Sequence, residues 1–107
     1  MQFIKGRSRK EYPIFRGLFE YFPFALLEVA HVSFIGNKQH NEPDNLHWDR
    51  DKSNDHLDAM LRHTLEAGDI DDDGIRHSAK VAWRALANLQ LELEKAEYYA
   101  TTKTKED

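Results

Sequence analysis

Ile75, Ala79, Ala82, Leu86, Leu89 and Leu93 recur at three- and four-residue intervals. That spacing marks one face of an α-helix, and it predicts a helix over residues 75–99. Such an element is long for a chain of 107 residues and must have other helices laid along it. A second periodic run, residues 54–67, follows Ser53, a good N-cap, and stops at Gly68. Its apolar stripe is Leu57, Met60, Leu61 and Leu65. A third run, FALLEVAHVSFI over residues 24–35, is apolar almost all round, which predicts a central, buried helix. Pro23 suits its first turn, and Gly36-Asn37 reads as its stop. Residues 13–21 form a short, partly helical approach. No strand pattern competes and no internal repeat is present. The fold predicted is therefore all-α: a small bundle of three main helices in one domain over residues 1–107. Residues 1–12, with Lys5, Arg7, Arg9 and Lys10, read as a basic arm, and residues 101–107 as a frayed tail. A chain this short buries its core with little margin, so homo-oligomerisation is expected to complete the bundle.

Charge is uneven along the chain. Residues 1–40 carry net +3, residues 41–73 net −8, and residues 74–107 net +1. The acidic middle argues against binding a nucleic-acid polymer, which needs a basic face. It permits a metal site or a polar pocket. There are no cysteines, so thiolate metal sites and disulfides are excluded and a reducing cytoplasm fits. The opening MQFIKGRSRK does not read as a secretory signal. The longest apolar stretch, residues 22–35, is too short to span a bilayer and contains Glu28 and His31.

Residues 45–87 concentrate the chemistry, with four of the six histidines. Glu28, in a helix expected to be buried, must be paired, hold a cation, or shift its pKa. Asp55 and Asp58 sit at i, i+3 and repel unless a cation stands between them. Arg62 supplies that charge by an i, i+4 pair with Asp58 in the simpler reading, and a divalent ion in the sharper one. Asp71-Asp72-Asp73-Gly74 precedes the last helix, where acids suit the positive end of the helix dipole. The run lacks the ligand spacing and closing glutamate of a calcium loop. His77, Lys80, Arg84 and Asn88 line a second face of the last helix. Arg84, between apolar neighbours, is shielded and wants a carboxylate or phosphate. Residues 36–52 form a loop, and Trp48 beside His47 and Asp49 predicts that it is ordered. No two histidines stand four apart on one helix, so the spacing does not point to zinc.

The runs YPIFRGLFEYFPFALLEVAHVSFIGNKQHN, LHWDRDKSNDHLDAMLRH and DDDGIRHSAKVAWRALANLQLELE resemble a family of small phage-encoded proteins. The family is that of the N-terminal domain of dATP/dGTP diphosphohydrolases. The most specific pieces are His47-Trp48, Arg62-His63, and Asp71 to Gly74 followed by His77 and WRALA. The resemblance implies release of pyrophosphate from purine deoxynucleoside triphosphates with a divalent metal. A more distant comparison is with MazG-type all-α pyrophosphohydrolases, which hold magnesium on ExxE and ExxD pairs. This chain departs from that pattern: Asp55 and Asp58 give one pair, Glu28 is isolated, and Glu94 and Glu97 lie near the C-terminal tail.

Two functions follow. In the enzymatic one, Glu28, Asp55 and Asp58 hold Mg²⁺ or Mn²⁺ against a triphosphate. Arg62, Lys80 and Arg84 neutralise phosphate charge, and His63 or His77 positions water. In the second, an oligomer sequesters a nucleotide, a cyclic or ADP-ribose-type immune signal, without turning it over. Basic side chains then hold phosphates, and Trp48, Trp83 or Phe34 stacks on a base, with His47 beside it. A structural phage protein with ordinary surface histidines is the third reading. The expected site is a nucleotide cavity between the charged faces of the last two helices.

Overall fold

The structure, a computed structural model, describes residues 6–40 and 45–106. A short 3₁₀ turn, Arg9–Glu11, and a π-helical turn, Phe15–Phe19, lead into α1, Pro23–His40. α2 spans His56–Thr64 and α3 spans His77–Glu106. Among the described residues no strand occurs, only an isolated bridge between Ile70 and Arg76. The chain is an all-helical fold of three main helices, with α3 packed against both α2 and α1. Among the described residues no single helix is long and apolar enough to cross a membrane. The leading turns and α1 pass such a test only jointly, bent by 89°. Part of the expected basic arm (residues 1–5), part of the expected loop (residues 41–44) and Asp107 lie outside the described residues.

Three boundaries differ from expectation. α1 runs through Gly36-Asn37, which do not end it. Gly36 keeps a helical φ, and the Asn37 side chain is buried, where its Oδ1 accepts the His47 N–H at 3.1 Å. Asn37 therefore fastens the returning chain to α1. α2 starts after Asp55 and ends at Thr64. Gly68 (φ +100°) still makes the turn that follows, in the left-handed region open to glycine. α3 continues to Glu106, beyond the expected end at residue 99.

The larger difference is which faces are buried. α1 is not sheathed: Phe24, Leu27, Glu28 and Phe34 are exposed. On α2 the leucines Leu57, Leu61 and Leu65 point outward, at 51%, 59% and 88% exposure. The buried residues there are His56 and Ala59, with Met60 and His63 half-buried beside them. Positions 56, 59, 60 and 63 are themselves a helical stripe, so α2 presents its histidines inward. α3 does likewise. Ile75, Ala79 and Ala87 are buried, but Leu86, Leu89 and Leu93 are exposed, while His77, Lys80 and Arg84 face the other helices. The predicted seam thus holds at its start and turns to the surface after Ala82.

The link between α2 and α3 explains the local geometry. Asp71 N–H donates to Ile75 O (2.8 Å) and His77 N–H to Asp69 O (3.1 Å), closing a tight loop around Gly74, φ +83°. Ile75, 1% exposed, anchors the loop. Trp83 Nε1 donates to Ser33 Oγ at 2.8 Å, which ties α3 to α1. Ile75→Ala is expected to cost about 3 kcal/mol by denaturant titration, because the site is sealed and cannot collapse freely. A loss under about 1 kcal/mol would mean that the loop is not anchored there.

Candidate functional site

A cleft of about 640 Å³ opens between the end of α1, the loop at residues 46–53, α2 and α3. Its lining includes His47, Trp48, Ser53, His56, His63, Asp73, Lys80, Trp83 and Arg84. Three aromatic rings form one wall. Trp48 meets Trp83 edge-on at 5.8 Å between centroids, and His56 lies 6.5 Å from Trp48 and 6.1 Å from Trp83. Arg50 holds the loop in place, stacked 4.4 Å over Trp48 and bonded to Glu94 of α3 at 2.9 Å. The expectation that Trp48 orders its loop is realised by these contacts.

Two cations enter the cleft from α3. Lys80 Nζ bonds Asp71 Oδ2 and Asp73 Oδ2, each at 2.6 Å. Burial pulls the Lys80 ammonium down, but the bonds to Asp71 and Asp73 outweigh it and its pKa stands above the usual value. Lys80 in turn, with the Asp72 N–H, holds the Asp71 carboxyl at about 2. Arg84 Nη1 lies 3.0 Å from Ser53 Oγ, 3.0 Å from His56 Nδ1 and 3.9 Å from Asp55 Oδ1. The shielded arginine thus finds its carboxylate. A guanidinium only donates, so His56 Nδ1 accepts and the ring is neutral with its proton on Nε2. That Nε2 is buried and has no partner among the described residues. Burial and then Arg84 push the His56 pKa below 6.5, with Asp55 opposing.

Beside the cleft, His63 and His77 approach with Nδ1 atoms 2.9 Å apart. At that distance one ring donates and the other accepts. His77 Nε2 faces Glu66 Oε2 at 3.7 Å and Asp71 Oδ1 at 3.9 Å. Two carboxylates at Nε2 favour the proton there, so His77 Nδ1 accepts and His63 Nδ1 donates. The His63 pKa is lowered by burial first, then by Lys80 and His77. One donor atom each from His63, Asp71 and His77 lie within 4.8 Å of one another, a set that could hold a metal ion.

The residues singled out from sequence separate into groups. His47, Trp48, His63, Lys80 and Arg84 line the cleft, and His77 stands behind His63. Glu28 is exposed on α1 and lines neither this cleft nor the shallower one at the start of α2. The premise that singled it out, burial, is overturned because α1 leaves that face uncovered. Asp55 and Asp58 both line the shallower cleft. Asp55 is taken by Ser53 (2.6 Å) and Arg62 (3.3 Å), and Asp58 is exposed. Arg62 pairs with Asp55 one turn further back than expected, and it lies outside the main cleft. Phe34 stacks on His31 at 5.8 Å, also away from the cleft. Glu94 is paired with Arg50, and the Glu97 side chain lies outside the described residues. His56, Ser53, Asp71 and Asp73 were not foreseen as site residues. The available signal was the i, i+7 spacing of His56 and His63, which repeats one helical face.

A family model described as dATP/dGTP diphosphohydrolase, N-terminal, matches residues 5–101. The chain belongs to that family. The match takes in every residue of the cleft and the donor set beside it. No curated protein and no solved structure matches the chain. Acid should act on the stability of the chain through His56. Its folded pKa lies below the unfolded value, so protons bind the unfolded chain better, and stability falls as pH drops through 6.5. Unfolding followed from pH 7.5 to 5.5 is expected to show that loss, with a shallower slope in His56→Gln. An unchanged slope would show that His56 titrates as in the unfolded chain.

Proposed function

We propose that the chain binds a purine deoxynucleoside triphosphate in the cleft and releases pyrophosphate from it. The observation that carries this reading is the cleft itself. It sets the aromatic edge of Trp48 and Trp83 beside Lys80 and Arg84, with a nitrogen- and oxygen-donor set one side chain away. The base packs on the tryptophans. Arg84 has donors to spare beyond Ser53 and His56, and Lys80 has one beyond Asp71 and Asp73, so both meet phosphate oxygens. Two imidazoles and a carboxylate suit a divalent ion, so His63, His77 and Asp71 would hold the metal. Such an ion supplies an activated water and polarises a phosphoryl oxygen. Arg84 and Lys80 hold the charge that develops on the leaving phosphates.

Self-association belongs to the same reading, with a second copy of the chain as the occupant. Outward-facing Leu57, Leu61 and Leu65 on α2 and Leu86, Leu89 and Leu93 on α3 are more apolar surface than the four apolar residues buried among the described residues can balance. Two such hairpins packed face to face close a four-helix bundle.

One observation favours sequestration without turnover: Lys80 already neutralises Asp73 on the cleft wall and Asp71 of the donor set beside it. Incubation with dATP or dGTP and Mg²⁺ or Mn²⁺ separates the two readings. Hydrolysis predicts monophosphate and pyrophosphate. Arg84→Ala is expected to lower kcat/KM about 100-fold, while Arg16→Ala on the leading turn leaves it unchanged. Nucleotide that binds and returns intact on heating contradicts hydrolysis and favours the binding module.

A further inference from the structure

We propose that His63, His77 and Asp71 form a centre for a borderline divalent transition-metal ion, of the class of Zn²⁺, Co²⁺ or Ni²⁺, in preference to Mg²⁺ or Ca²⁺. The inference specifies the ion of the proposed reaction and to that extent rests on it. Binding of the ion needs no nucleotide, so the two can fail separately.

Three observations converge. The first is the donor set. Mg²⁺ and Ca²⁺ are bound almost wholly by oxygen, whereas imidazole suits Zn²⁺ and its neighbours. Two histidines and one carboxylate leave room for water in the remaining positions, as in sites that do chemistry. The second is spacing. The two Nδ1 atoms stand 2.9 Å apart, close to the roughly 3.0–3.4 Å between two nitrogens each about 2.1 Å from one ion. The whole set spans no more than 4.8 Å, so movements of about an ångström close it. His77 is buried and cannot swing out to solvent, while His63 and Asp71 are half-buried and can adjust.

The third observation is electrostatic. Around the set lie the carboxylates of Asp71, Asp73 and Glu66 and the single ammonium of Lys80. Arg84 also reaches His63 with its charge, so the groups around the two imidazoles sum to −1, and the set still draws a cation. Lys80 bonds Asp71 Oδ2; Oδ1 accepts the Asp72 N–H at 2.7 Å and lies 3.9 Å from His77 Nε2, so Asp71 must turn to join the two Nδ1 atoms on an ion. Glu66, 3.7 Å from His77 Nε2, is placed to orient that imidazole, as carboxylates behind metal-bound histidines do. It acts as a positioning residue. Sequence spacing hid the centre, since the two histidines come from different helices and the carboxylate from the loop between them.

The test uses the whole chain stripped with chelator and titrated with Co²⁺, without nucleotide. The centre predicts visible d–d absorption that saturates at one ion per chain, displacement by Zn²⁺, and no displacement by millimolar Mg²⁺. The thermal midpoint should rise with the ion. His63→Gln and Asp71→Asn should each weaken binding about 100-fold while keeping the helical circular dichroism, and Glu66→Gln about 10-fold. His31→Gln, on exposed α1, should bind as the parent does. Absence of a saturable cobalt spectrum overturns the proposal. So does binding that survives in both His63→Gln and Asp71→Asn, which would place the ion at surface histidines.

Discussion

Arg84 between Ser53, His56 and Asp55 is the contact on which the arrangement depends. A guanidinium half-removed from water must be surrounded by acceptors. Its acceptors come from the loop before α2 and from the first turn of α2, so satisfying it fixes how α2 lies on α3. One α3 turn earlier, Lys80 binds Asp71 and Asp73 of the connecting loop by the same logic. Arg84 thus holds the N-terminal end of α2, and Lys80 holds the loop that leads into α3, with the histidine face of α2 turned inward. Once that face is inward, His63 meets His77, and the leucines on the opposite side have nowhere to go but the surface.

This inversion sets what was legible in the sequence. Helical periodicity identified all three helices, since periodicity depends on the backbone repeat alone. It misassigned the buried faces because the apolar stripe was taken as the inward one. That assumption holds when hydrophobic burial decides the packing. Here Arg84 and Lys80 decide it, and the leucine stripe is left for another surface. The same assumption placed Glu28 in a core that α1 does not have. The stop read at Gly36-Asn37 failed for a related reason: Asn37 serves the His47 N–H instead of a helix end.

The site was partly legible. Arg84 was recognised from charge inside apolar surroundings, Lys80 and His77 from the α3 face they share with it, and His63 from the Arg62-His63 pair of the family resemblance. Asp71 and Asp73 looked like dipole-complementing acids, and only the tight loop around Gly74 shows them turned onto Lys80. Asp55 and Asp58 looked like a metal pair because they share a face, yet Asp55 spends its oxygens on Ser53 and Arg62. Spacing within one helix cannot report a site assembled across two helices and a loop. The family match over residues 5–101 takes in the whole of the cleft with its aromatic and cationic walls.

The most direct test of the inward-facing polar surfaces is long-range ¹H–¹⁵N NMR of the histidine rings at pH 7. The account predicts a neutral His56 with its proton on Nε2 and an unprotonated Nδ1, and cross-relaxation between the ring protons of His63 and His77. Rings that all titrate like free histidine, with no contact between His63 and His77, would contradict it.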